Sequence, residues 1–226
     1  SRQRFNRSVS FRLVRDVWES GISRRLLVWP LICALLGAAS VLADLPVARL
    51  SSIFPPGGKI GASFEVIVSG VDLDDASEIR FSKAGITAKA KVSDGTGRPE
   101  ANKFVVTIAS DVAPGDCEAR VVGRFGISNP RAFAIGDLPE ILEKGGNNSP
   151  SSAMEIAVGQ TVNGRCDANA VDYFKFAAKK EQRVLIGCLA EEIDSRMDAV
   201  LALYDAAGHE LERNRRAGLL DFTAPA

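Results

Sequence analysis

From residue 45 onward, apolar positions recur at every second residue. In "ITAKAKVS" Ile86, Ala88, Ala90 and Val92 fall on one side, and Thr87, Lys89, Lys91 and Ser93 on the other. That alternation predicts a strand with one face buried and one in water. The runs "ASFEVIVSG", "SEIRFS", "NKFVVTIAS", "CEARVVGRFG" and "PRAFAIG" repeat it, broken by "PPGGKIG", "VDLDDA", "SDGTGRPEAN" and "SDVAPGD". Short strands at regular spacing, with Gly, Pro and Asp between them, predict an immunoglobulin-like β-sandwich over residues 45–137.

Residues 138–152, "LPEILEKGGNNSPSS", break the pattern and are read as a linker. Strand-like runs then resume in "MEIAVGQTVNGRC", "VDYFKFAA", "RVLIGCLA" and "AVLALYDAAGHEL". They predict a second sandwich over residues 153–226, read as C-terminally incomplete because "LLDFTAPA" stops where a further strand is expected. "KKEQ" (residues 179–182) lies between two of these runs and is read as the solvated tip joining two strands, not as a basic binding patch. Gly208 in "DAAGHELERN" suits the positive φ of a hairpin turn. The fold expected is therefore all-β: two tandem β-sandwich domains, the second jelly-roll-like.

Before residue 44 the pattern is different. "LLVWPLICALLGAASVLA" (residues 26–43) is continuously apolar, follows Arg24 and Arg25, and ends with small residues ahead of Asp44. A basic lead, an apolar stretch and a small-residue exit predict a signal peptide, with an uncleaved signal anchor as the alternative. Both readings make the protein exported, to periplasm, cell surface or medium, and touching a membrane only through this segment. The chain is formally neutral, yet residues 1–43 carry seven Arg against two acids, leaving residues 44–226 with 21 basic and 26 acidic residues. A mildly acidic body argues against nucleic acid as a partner.

Catalytic patterns are sparse. The single histidine, His209, sits in the predicted hairpin turn, where a triad histidine held in a packed cleft is not expected. "PPGGKIG" lacks the spacing of a phosphate-binding loop, so its glycines are read as turn residues. Carboxylates cluster in "VDLDDASE" (Asp72, Asp74, Asp75), read as a charged turn because the residues an EF-hand loop needs are missing. They cluster again in "EEIDSRMD" (Glu191, Glu192, Asp194, Asp198), where Asp194 and Asp198 are candidate ligands of a structural calcium ion and a solvated loop is the alternative. No other cofactor is expected.

Outside the export segment the cysteines are Cys117, Cys166 and Cys188, with no C-x-x-C spacing. Cys166 shares a strand face with Val162 and Gly164, and Cys188 with Val184 and Ile186. Were those strands neighbours with these faces inward, Cys166 and Cys188 could form a disulfide. The bridge would close a loop of about 20 residues, worth roughly 3 kcal/mol in the chain-entropy model. The alternative is three buried free thiols.

Two stretches resemble known families. "TVNGRCDANAVDYFKFAAKKEQRVLIGCLAEEIDSRMDAVLALYDAAGHELERN" resembles the bacterial pre-peptidase C-terminal domain, with its N-G-x-[IC]-D opening, D-x-[YF]-x-F strand, charged turn and L-x-L-x-D-x-x-G hairpin. "PVARLSSIFPPGGKIGASFEVIVSGVDLDDASEIRFS" is similar to the IPT/TIG group of immunoglobulin-like domains, with a P-x-G-G-x-x-G turn and a V-x-G-x-x-L hairpin. The resemblance implies non-catalytic sandwich modules of large exported or surface proteins of bacteria. Two functions are then expected: a binding or adhesion region for an extracellular protein or polysaccharide, or the accessory region of a secreted enzyme whose catalytic domain lies beyond residue 226.

Overall fold

The computed structural model describes residues 45–167, 169–215 and 218–224, and the expected signal segment lies outside them. The described chain is all-β. Its first part holds β1 (Arg49–Phe54), β2 (Gly57–Lys59), β3 (Ser63–Val71), β4 (Glu78–Phe81), β5 (Ile86–Val92), β6 (Pro99–Ile108), β7 (Gly115–Gly123), β8 (Gly126–Ile127) and β9 (Arg131–Gly136). One antiparallel sheet has the order β1-β3-β6-β5. The other has the order β2-β9-β7-β4, with β8 beside β7 and β2 parallel to β9.

Alternation decides which side chains meet between the sheets. Val66 and Val68 of β3, Phe104, Val106 and Ile108 of β6, Ala119 and Val121 of β7, and Phe133 and Ile135 of β9 are buried and belong to one core. The ring of Phe133 lies 5.0 Å from Phe81, tilted, and 6.4 Å from Phe64, stacked. Burying one such side chain contributes roughly 1.5–3 kcal/mol, so this interface dominates the fold's stability.

The "PPGGKIG" glycines do more than turn the chain. Gly57 and Gly58 lie within β2, where a Cβ at Gly57 would run into the Ala134 carbonyl and one at Gly58 into the Phe64 ring. Glycine at 57 lets β2 approach β9 closely, and glycine at 58 leaves room for the Phe64 ring. Only Gly61 of the three takes a positive φ, at 75°.

The second part holds β10 (Glu140–Leu142), β11 (Met154–Glu155), β12 (Thr161–Asn163), β13 (Phe174–Lys175), β14 (Arg183–Gly187), β15 (Val200–Tyr204), β16 (Glu210–Arg215) and β17 (Leu219–Thr223). The strands form four separate pairs: β10 with β12 and β11 with β13, both parallel, and β14 with β17 and β15 with β16, both antiparallel. The expected linker contains β10. "KKEQ" is a turn, closed by Gln182 N–H donating to Lys179 O at 2.9 Å, but the strands it joins are not partners. The "DAAGH" hairpin forms as expected, with Gly208 at φ 90°.

Apolar burial is thin in this part. Val184, Ala190, Leu220 and Ala224 are buried, whereas Leu185, Leu189, Val200, Leu211 and Leu219 are 42–59% exposed. The two parts should therefore respond differently to truncation. Phe133→Ala should lower the unfolding free energy by about 3–5 kcal/mol, and Leu185→Ala by less than about 1 kcal/mol, as read by urea denaturation. Equal losses would contradict this distribution of the core.

Candidate functional site

The chemistry gathers at one seam, where β1 of the first sheet meets β9 of the second. The segment Ser128-Asn129-Pro130, between β8 and β9, closes it. Asn129 Oδ1 accepts from the Leu50 N–H at 2.8 Å, and its Nδ2 donates to the Leu50 carbonyl at 3.0 Å. One side-chain amide thus pairs with β1 as a neighbouring strand would. Ser128 is 1% exposed; its Oγ accepts from the Val121 N–H at 3.0 Å and donates to the Asn129 carbonyl at 2.8 Å. Among the described residues, no fully buried side-chain polar atom lacks a hydrogen-bond partner.

Above this plug lies a groove of about 660 Å³, lined by residues 47–51, Arg120, residues 127–129, Arg131 and Arg196. Its lining holds four arginines and no acid. Two of them are fixed by backbone: Arg131 Nε donates to Leu50 O at 3.1 Å, and a terminal nitrogen of Arg120 donates to Ser128 O at 3.3 Å. Each also has an acidic neighbour, Asp194 at 3.9 Å from Arg131 and Glu118 at 3.1 Å from Arg120. Arg49 and Arg196 make no ion pair among the described residues. A guanidinium has five N–H donors, so all four retain donors for an oxyanion.

Asp194, a candidate calcium ligand, lies at this seam. It sits at φ 59° at the end of the 3-10 turn Glu191–Ile193, and its Oδ2 accepts from the Ala132 N–H at 2.7 Å. That bond pins the loop against β9 and brings Arg196, two residues on, over the groove. Arg165 makes a second tie between the two parts of the chain, its guanidinium 4.2 Å above the Phe54 ring. Asp198 is exposed. No group of three His, Cys, Asp or Glu among the described residues is arranged to hold a metal ion.

The other acidic run is a turn. Asp72 Oδ2 accepts from the Val47 N–H at 3.1 Å, and the Asp74 carbonyl accepts from the Arg124 N–H at 3.0 Å. At the "DAAGH" tip, Asp205 Oδ1 accepts from the Ala207 and His209 N–H groups, each at 2.8 Å, while Oδ2 lies 2.9 Å from His209 Nδ1. These bonds, the His209 ring first, hold the Asp205 carboxyl below its ordinary pKa. The histidine is exposed and braces a hairpin.

The three thiols are free. β12 ends at Asn163, so Cys166 lies outside the strand face on which a bridge was expected, and it is exposed. β12 pairs with β10 and β14 with β17, so the neighbouring strands that a Cys166–Cys188 disulfide requires are not formed. Burial pushes the Cys117 and Cys188 thiols up. Desolvation, then Asp172, pushes Cys166 up as well.

The groove was not legible in sequence: its arginines are single residues on separate elements, and Ser-Asn-Pro looks like an ordinary breaker. No family model matches the chain, and no curated protein matches it.

Because the thiolate is the reactive form, alkylation of the folded protein should modify Cys166 first, at a rate rising with pH. Buried Cys117 should react only upon unfolding, and half-buried Cys188 more slowly than Cys166. Mass spectrometry showing Cys117 labelled as fast as Cys166 would contradict this placement.

Proposed function

We propose that the chain is a non-catalytic, exported binding or adhesion region built from β-sandwich modules, with an extracellular protein or polysaccharide as its partner. The observation that carries the reading is the arginine groove at the β1–β9 seam, a concave surface whose donors are held in place and only partly neutralised. The strand orders β1-β3-β6-β5 and β2-β9-β7-β4 support an immunoglobulin-like first module of the IPT/TIG type, because such sandwiches set the first, second, fifth and fourth strands against the third, sixth and seventh. The "VNGRCD" and "LALYDAAG" stretches support a second module of the pre-peptidase C-terminal type. The Asp205–His209 pair favours a structural role for the histidine, since three donors of one turn occupy that carboxylate.

The purified 226-residue chain should cosediment with isolated bacterial cell-envelope material and turn over no peptide, ester or glycoside substrate. Its staying in the supernatant, or hydrolysis abolished by His209→Ala, would overturn the reading.

A further inference from the structure

We propose that the β1–β9 groove takes the carboxylate or sulfate groups of an acidic polysaccharide, an assignment that rests on the binding-region reading above. Charge comes first. Four guanidinium groups line the groove, while Glu118 and Asp194 stand beside it and offset two of them, so a net positive pocket sits on a body that is acidic overall. Guanidinium forks match planar carboxylates and sulfates, and forks already fixed by backbone carbonyls lose little freedom when they bind. Arg131 and Arg120 are fixed in that way.

Other occupants fit less well. A peptide adding a strand needs free N–H and C=O groups along an edge. At this edge Leu50 N–H and C=O are taken by Asn129 and Arg131, and Val121 N–H by Ser128. Single-stranded nucleic acid needs aromatic side chains for base stacking, and the lining has none. What the groove offers is guanidinium donors, with Ile127 and Val47, 51% and 60% exposed, as apolar surface for the C–H faces of sugar rings.

The test measures affinity of the full chain for polygalacturonate, dextran sulfate and neutral dextran. Two double variants are compared with the wild type. Arg49→Gln with Arg196→Gln removes the two groove arginines that make no ion pair among the described residues. Lys89→Gln with Lys144→Gln removes the same charge from exposed positions outside the groove. The wild type should bind one or both polyanions and ignore neutral dextran, the stronger polyanion identifying carboxylate or sulfate as the group recognised. The groove variant should lose at least about tenfold in affinity and the lysine variant less than about twofold. All four substitutions lie at exposed positions, so unchanged thermal melting should accompany both variants. The seven arginines of residues 1–43 are common to all three proteins, so the difference between variants reads the groove. Equal losses in the two variants, no loss in the groove variant, or no polyanion binding by the wild type would overturn the assignment. Cosedimentation with envelope material that persists in the groove variant would leave the binding-region reading standing while removing the groove from it.

Discussion

The pairing of the Asn129 side-chain amide with the backbone of Leu50 is the contact on which the seam depends. Leu50 is 1% exposed, and its N–H and C=O face the opposite sheet. Without Asn129, a buried backbone donor would be left unmatched, at a cost of about 1–3 kcal/mol. The two bonds do what a ladder would do where no strand is available. They hold β1 against β9, and this closes one side of the sandwich around Phe104 and Phe133.

That closure also sets the chemistry above it. The Leu50 carbonyl that accepts from Asn129 accepts from Arg131 too, so one backbone group anchors both the seam and a guanidinium. Asp194 then uses the adjacent N–H of Ala132 to bring the following loop, and Arg196 with it, to the same place. The same carboxylate oxygen lies 3.9 Å from a terminal nitrogen of Arg131, so one side chain meets both the loop contact and the groove. The groove is thus a product of packing, assembled from residues whose local sequences carry no motif.

Much of the first sandwich was legible because period two is a local property. Ile86, Val66, Val68, Phe104, Val106 and Phe133 point inward as alternation requires. Pairing is not local, and alternation does not fix it. The runs on either side of "KKEQ" look like a hairpin, yet β13 pairs with β11 and β14 with β17. "TVNGRC" alternates through Cys166, but the strand stops at Asn163, before Gly164 and Cys166. The glycines of "PPGGKIG" signal a turn in sequence, and only the packing shows why two of them admit no side chain, Gly57 against Ala134 of β9 and Gly58 against the Phe64 ring of β3.

The most direct test of the account observes the arginine Nε–H resonances by NMR while oligogalacturonate is added to the full chain. Signals of Arg49, Arg120, Arg131 and Arg196 should shift together and saturate at one concentration, with Arg80 and Arg98 unmoved. Shifts of equal size at Arg80 and Arg98, or none at the four groove residues, would contradict it.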